Sequence, residues 1–381
     1  QLENGEQSLE WDERHGWLPA LLESLDVPRT SQTLVFSKTS RQHQRINPSR
    51  PRALYFNDDV YIGWVRSGDF VEVAAVDPVQ GAVFYTVDQH NAEQAIITRD
   101  TGQCLSCHAN ANTGKVPGFV VRSVFPKPDG HPDYRLGTTA TDHTTPFADR
   151  YGGWYVTGNH GDMRHRGNVA ISGGDDHTLD REAGANLAEL PENVKTENYL
   201  EPTSDIVALM LLQHQTQMHN LVTRASYETR QAQHYQDEMN RLLKRDEDYQ
   251  GESTVRRIQS AAEALVAYLL FSGEPELISP VTGNSEFANE FASAGIRDSR
   301  GRSLRDLDLD NRLLRYPCSY LIYSESFNSL PPVVLDIVKS RLTEILTGTD
   351  DSGDFAHLSA EDKRNIFEIL SETHPLFANG H

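Results

Sequence analysis

Cysteine, methionine and basic residues are all scarce in this chain: 3 Cys and 4 Met in 381 residues, and 35 Lys plus Arg against 55 Asp plus Glu. Three cysteines cannot build the multi-bridge framework of a small disulfide-stapled domain. A net charge of −20 argues against binding nucleic acid or an anionic membrane surface, and it favours a partner with a basic docking surface. The acidic runs at 306–310 and 350–354 read as solvated loops. No apolar run approaches the roughly 18 residues that a membrane-spanning helix needs, so no membrane span is expected. Also missing are a His-Glu-x-x-His helix, a Glu-x-x-His pair of the di-iron kind, a G-x-x-x-x-G-K-[S/T] phosphate loop and a G-x-S-x-G nucleophile elbow. These absences exclude the common metalloprotease, nucleotide-binding and serine-hydrolase signatures.

Two of the three cysteines stand together, in Cys104-Leu105-Ser106-Cys107-His108. C-x-x-C-H is the attachment sequence of a c-type haem. Each thiol can add to one haem vinyl group, and the following His can ligate iron. Zinc is the main rival, but Cys318 stands alone and no second C-x-x-C supplies the other half of a zinc ribbon; a Cys2His2 site remains open. A thioredoxin-like dithiol belongs at a helix start in a βαβ unit, whereas this pair lies in a Gly- and Asn-rich stretch. One covalent haem c is therefore the expected cofactor, with Cys318 a buried, inert thiol.

The pattern around the motif is α+β. Residues 60–65, 70–76 and 82–87 are strand-like, with turn chemistry at 67–69 and 77–81, and they predict an antiparallel meander. Further strands are expected at 118–125 and 153–157, a strand at 33–36 and an amphipathic stretch at 17–22. The second half is helical. A long helix follows Ser204 and Asp205, a second follows Ser253 and stops by Gly273, a third runs from Pro331 and Pro332 to Gly348, and a fourth starts at Ser359. The chain divides into a β-rich motif-bearing region, 1–195, and a helical region, 196–381, or forms one continuous body.

The sixth iron position decides what such a centre does, because a second protein ligand favours electron transfer and an open position admits small molecules. His214 and Met218 share one face of the long helix, whereas His219 lies ~500° round from His214, so the two histidines cannot serve one iron. His214 is the first candidate, followed by Met218 and His219. A basic island at 160–168 holds His160, Met163, Arg164, His165 and Arg166, suited to haem propionates, to an anionic ligand, or to a peroxidase-like pocket with His160, Arg164 and His165 as catalytic groups.

At Cys104, Cys107 and His108 the chain resembles bacterial c-type cytochromes. The resemblance implies covalent haem c, His108 as proximal ligand and a periplasmic or secreted location. The start at Gln1, with neither Met nor an apolar leader, fits a processed exported chain. Small cytochromes of this kind carry the motif near the N-terminus of a helical domain and follow it with a ligating Met; here over a hundred residues precede it and β-like segments flank it. Two functions follow as expectations. One is mono-haem electron transfer to a redox partner protein. The other is a haem enzyme, peroxidase-like or acting on a small nitrogen or sulfur species as substrate. A sensor would need a signalling domain that the pattern does not reveal.

Overall fold

The computed structural model describes residues 9–172 and 178–378; Gln1, on which the expectation of a processed start rests, lies outside them. Six strands form one antiparallel meander in chain order: β1 (Thr33–Val35), β2 (Arg52–Phe56), β3 (Val60–Trp64), β4 (Phe70–Asp77), β5 (Gly81–Asp88) and β6 (Ile97–Arg99). The connections use side-chain acceptors in place of ladder bonds. Asn57 Oδ1 accepts from the N–H groups of Asp59 and Val60, and Asp77 Oδ1 from those of Val79 and Gln80.

The period of two splits the sheet into two faces. The cross-strand row Tyr55, Ile62, Val73 and Tyr85 faces a cluster that includes Leu18, Leu21 and Leu22 of α1 (Leu18–Ser24). The neighbouring row Phe56, Tyr61, Ala74 and Phe84 faces the larger core, which also holds most of the helical side chains. That core draws on both sides of residue 195, so the β-rich and helical regions are packed through one apolar interior.

The helical region is ordered around α3 (Ile206–Leu243), 38 residues and so ~57 Å long. Asp205 caps it: Oδ1 accepts from Val207 and Ala208 N–H, while Oδ2 accepts from Asn284 and Ser285 N–H. Residues Ile206 to Thr216 are buried on every side, as expected for a helix enclosed by other elements. Against it pack α4 (Glu252–Leu269), α5 (Phe287–Ser293), α6 (Glu325–Asn328) and α7 (Pro332–Thr347), and α8 (Ala360–Thr373) covers α7. Gly348 ends α7 with φ +78°, and a Ser359–Asp362 capping box starts α8. Among the described residues no helix is long and apolar enough to cross a membrane.

Two expected strands are shorter than their patterns. Of 118–125 only β7 (Arg122–Val124) pairs, with β8 (Thr138–Ala140), because Gly118 and Phe119 spend their backbone groups on His108 and on Asn220 of α3. At 153–157 only two isolated bridges survive, Val35 to Trp154 and Thr157 to Asp205, since Gly153 sits at φ +86° and Asn168 takes the backbone of Val156 through its amide.

Candidate haem-attachment site

The C-x-x-C-H segment hangs between the sheet and α3. Asp100 N–H donates to Phe84 O at 2.8 Å, which fixes the entry, and Ala82 N–H donates to Pro117 O, which fixes the exit. Asp100 Oδ2 accepts from the N–H groups of Gly102 and Cys104, both at 2.9 Å, and turns the chain into the one-turn helix α2 (Leu105–His108). These bonds hold the Asp100 carboxyl below the usual range, against the opposing effect of its partial burial. Asn110 then closes the segment, its side-chain N–H donating to Cys107 O at 2.8 Å.

Cys104 and Cys107 are free thiols, one half-buried against the core and one exposed. Burial, and then the nearby Asp100 charge, push the Cys104 thiol up, so it is held as S–H. His108 is fixed twice to the same residue: Gly118 N–H donates to His108 O at 2.8 Å, and His108 Nδ1–H donates to Gly118 O at 2.9 Å. A proton on Nδ1 leaves the Nε2 lone pair free, and that atom is not among the buried polar atoms lacking a partner, so solvent reaches it. The Phe84 ring lies 4.8 Å from the imidazole. Burial lowers the His108 pKa and keeps the ring neutral, the form that binds metal. A backbone carbonyl orienting the far nitrogen is the usual support of a metal-ligating His.

These features fit a c-type haem. Two unoxidised thiols stand one turn apart, next to a neutral imidazole whose outer nitrogen is unclaimed. Cys104 and Cys107 would hold the haem covalently and His108 would ligate its iron, so one protein ligand suffices. A structural zinc would instead need four protein ligands, and among the described residues no three His, Cys, Asp or Glu side chains are grouped to hold a metal.

No known protein family, curated protein or solved structure matches this chain. The site is therefore read from its own chemistry.

His214, the first candidate for the sixth position, is not brought to His108. It is fully buried, and both ring nitrogens are engaged: Nδ1 with His143 Nδ1 at 2.7 Å and Nε2 with Ser319 Oγ at 2.8 Å. Its ring lies parallel to Tyr268 and Phe271, and burial presses its pKa down to about 3. The apolar stripe that holds His214 does face inward, but towards α4 rather than towards the motif. Met218 is buried in the large core. His219 faces the sheet, edge-on to Tyr61 and Phe119, and its Nε2 bonds to Asp58 O at 2.7 Å.

The island at 160–168 forms a separate cluster. His160 and His165 lie 4.7 Å apart, with Phe147 against both. His160 Nδ1–H donates to Met163 O, and its Nε2 accepts from Asn186 N–H. His165 Nδ1 accepts from Gly167 N–H, and burial, then the nearby His160, lower its pKa to about 3. Arg164 is taken up by Glu182 and by the carbonyls of Gly161 and Met163, and Arg166 pairs with Asp149. Met163 is buried. Arg164 and Arg166 of the island thus already have acceptors.

The sequence reading missed the arginines that border the motif. Arg52 lies across Gly63 and pairs with Glu72 on β4. Both act on His108, as does Arg122 of β7. Arg41 stacks 5.2 Å over Phe70 and stands 3.8 Å from Asp100. None carries a local motif: Arg41 lies in a turn, Arg52 on β2 and Arg122 on β7 of the smaller sheet.

Proposed function

We propose that this chain is a mono-haem c protein whose function is electron transfer, with Cys104 and Cys107 as attachment thiols and His108 as the iron ligand. A bound haem c would supply one-electron Fe(III)/Fe(II) chemistry. The observation that carries the reading is the Nδ1–H bond from His108 to Gly118 O, which presents an unprotonated Nε2 beside two free thiols. Asp100 and Asn110 hold the segment's turns, so the three attachment groups keep their relative places when loaded. Exposed Cys107 puts one edge of the site at the surface, where a partner protein can approach. The net charge of −20 suits a partner with a basic docking surface. Haem attachment of this type occurs outside the cytoplasm, and the proposed location is accordingly periplasmic or secreted.

A second reading is favoured by one finding, the engagement of both His214 nitrogens. The sixth position is then open to a small molecule, and the protein is a haem enzyme or ligand binder. Optical spectra with and without carbon monoxide separate the two. Low-spin spectra unmoved by carbon monoxide support the carrier, and a high-spin spectrum with carbon monoxide binding supports the enzyme. In either case Cys104→Ser and Cys107→Ser should each shift the pyridine haemochrome to that of a single thioether. The double variant should retain no haem after denaturation. Haem retention by the double variant would refute attachment at these thiols.

A further inference from the structure

The inner face of the sheet is only half covered by α3. Its first row, Phe56, Tyr61, Ala74 and Phe84, is core. The next row is Gly63, Glu72, Thr86 and Thr98, paired strand to strand, with Arg52 reaching back over Gly63 to Glu72. Past Gly63 these side chains are half-buried or exposed. The row continues the floor on which His108 rests through Phe84.

Charge along this floor is unlike that of the molecule as a whole. Arg41 stands over Phe70, Arg52 lies across Gly63, and Arg122 acts on His108, in a chain with 20 more acidic than basic residues. The facing carboxylates are both spent. Asp100 is held by Gly102, Cys104 and Arg41, and Glu72 by Ser40 Oγ at 2.9 Å and by Arg52. Arg122 differs from its neighbours: it is half-buried, and among the described residues its guanidinium has neither an ion pair nor a hydrogen bond. Its backbone is nevertheless fixed. Trp154 Nε1–H donates to Arg122 O at 2.8 Å, and Trp154 is bridged to Val35, the register partner of Arg52. Arg122 also follows Gly118, the partner of His108, by only four residues. A half-buried guanidinium without an anion, near enough to His108 to act on it as the Arg52–Glu72 pair does, is suited to bidentate binding of a carboxylate.

We propose that Arg122, backed by Arg52, is the seat of a haem propionate and raises the reduction potential of the centre. The inference rests on the haem c reading and adds its carboxylate recognition. A cation there disfavours the more positive Fe(III) state and keeps the propionate ionised.

The test is spectroelectrochemistry of the haem-loaded full chain from pH 5 to 9, for wild type, Arg122→Gln, Arg122→Lys and the exposed control Arg256→Gln. Arg122→Gln should shift the Fe(III)/Fe(II) equilibrium about tenfold towards Fe(III), a midpoint lower by ~59 mV for one electron. It should also introduce a pH-dependent midpoint as the unpaired propionate takes up a proton. Arg122→Lys should fall between, and Arg256→Gln should match wild type. Because the Arg122 side chain makes no ion pair or hydrogen bond among the described residues, its variants should melt as wild type does. A haem-loaded, folded Arg122→Gln with the wild-type midpoint across this range would overturn the seat while leaving the haem reading intact. A wild-type chain without covalent haem would overturn both.

Discussion

His108 and His214 show how little a histidine's type says about its work. Both sit in apolar surroundings, and both are held neutral by burial. One has a nitrogen left over; the other has none. His214→Ala should therefore leave the axial ligation and optical spectrum of the loaded protein unchanged. It should destabilise the fold on the order of 3 kcal/mol, because it opens a cavity and strands His143 and Ser319. Conversion of low-spin to high-spin iron in that variant would restore His214 as a ligand. The motif was legible because its five residues are consecutive. The Gly118 carbonyl that sets the His108 tautomer was not, since it lies ten residues on and acts through its backbone, which carries no residue signal.

The buried imidazoles also fix an acid limit. His165 and His214 titrate at about 3 and His219 at about 4, against 6.5 for a free side chain. Between those values the unfolded chain binds more protons than the native one. Their stabilising contribution is thus complete above about pH 6.5 and is lost as pH falls towards 4 and below. Chemical denaturation at pH 7, 5.5 and 4.5 should give steadily lower stability. Constant stability across that interval would show that these rings are not buried neutral.

At the scale of elements, Asn220 is the joint between α3 and the motif. Its Oδ1 accepts from Phe119 N–H and its Nδ2–H donates to Phe119 O, both at 2.8 Å, so one amide completes the backbone of an otherwise unpaired residue. Asn220→Ala should cost about 2 kcal/mol. Because Phe119 adjoins Gly118, it should also broaden the iron-ligand signals of the loaded protein. Gly118→Ala should act likewise, since a Cβ there would strike Asn220 Oδ1. Magnetic spectra identical to wild type in both variants would uncouple α3 from His108.

Elements were legible where local chemistry and packing agreed. The alternation at 60–65, 70–76 and 82–87 became β3, β4 and β5, and Pro332 and Gly348 bounded α7 as they should. Agreement failed at 118–125, where β-prone residues serve a loop. It failed also along α3, where one helix buries several faces and the apolar stripe cannot say which neighbour His214 meets.

At the scale of the whole molecule, the motif-bearing meander and the helical region share one core. The C-x-x-C-H segment is tied to Phe84 and Ala82 on the sheet and, through Phe119, to α3. This is a frame unlike that of a small helical cytochrome, where about a hundred residues would enclose the cofactor. Here the same five residues are presented at a sheet's half-open face, bordered by arginines in an acidic protein. The gathering of Arg41, Arg52 and Arg122 could not be read from a chain in which they lie far apart.

The central claim is covalent attachment of one haem to this segment, and acid–acetone extraction of the chain produced with c-type maturation tests it most directly. The account predicts that the extracted polypeptide keeps its colour and yields the haemochrome of two thioether bonds, one haem per chain. Colourless polypeptide, with the haem in the organic phase or never bound, would contradict it.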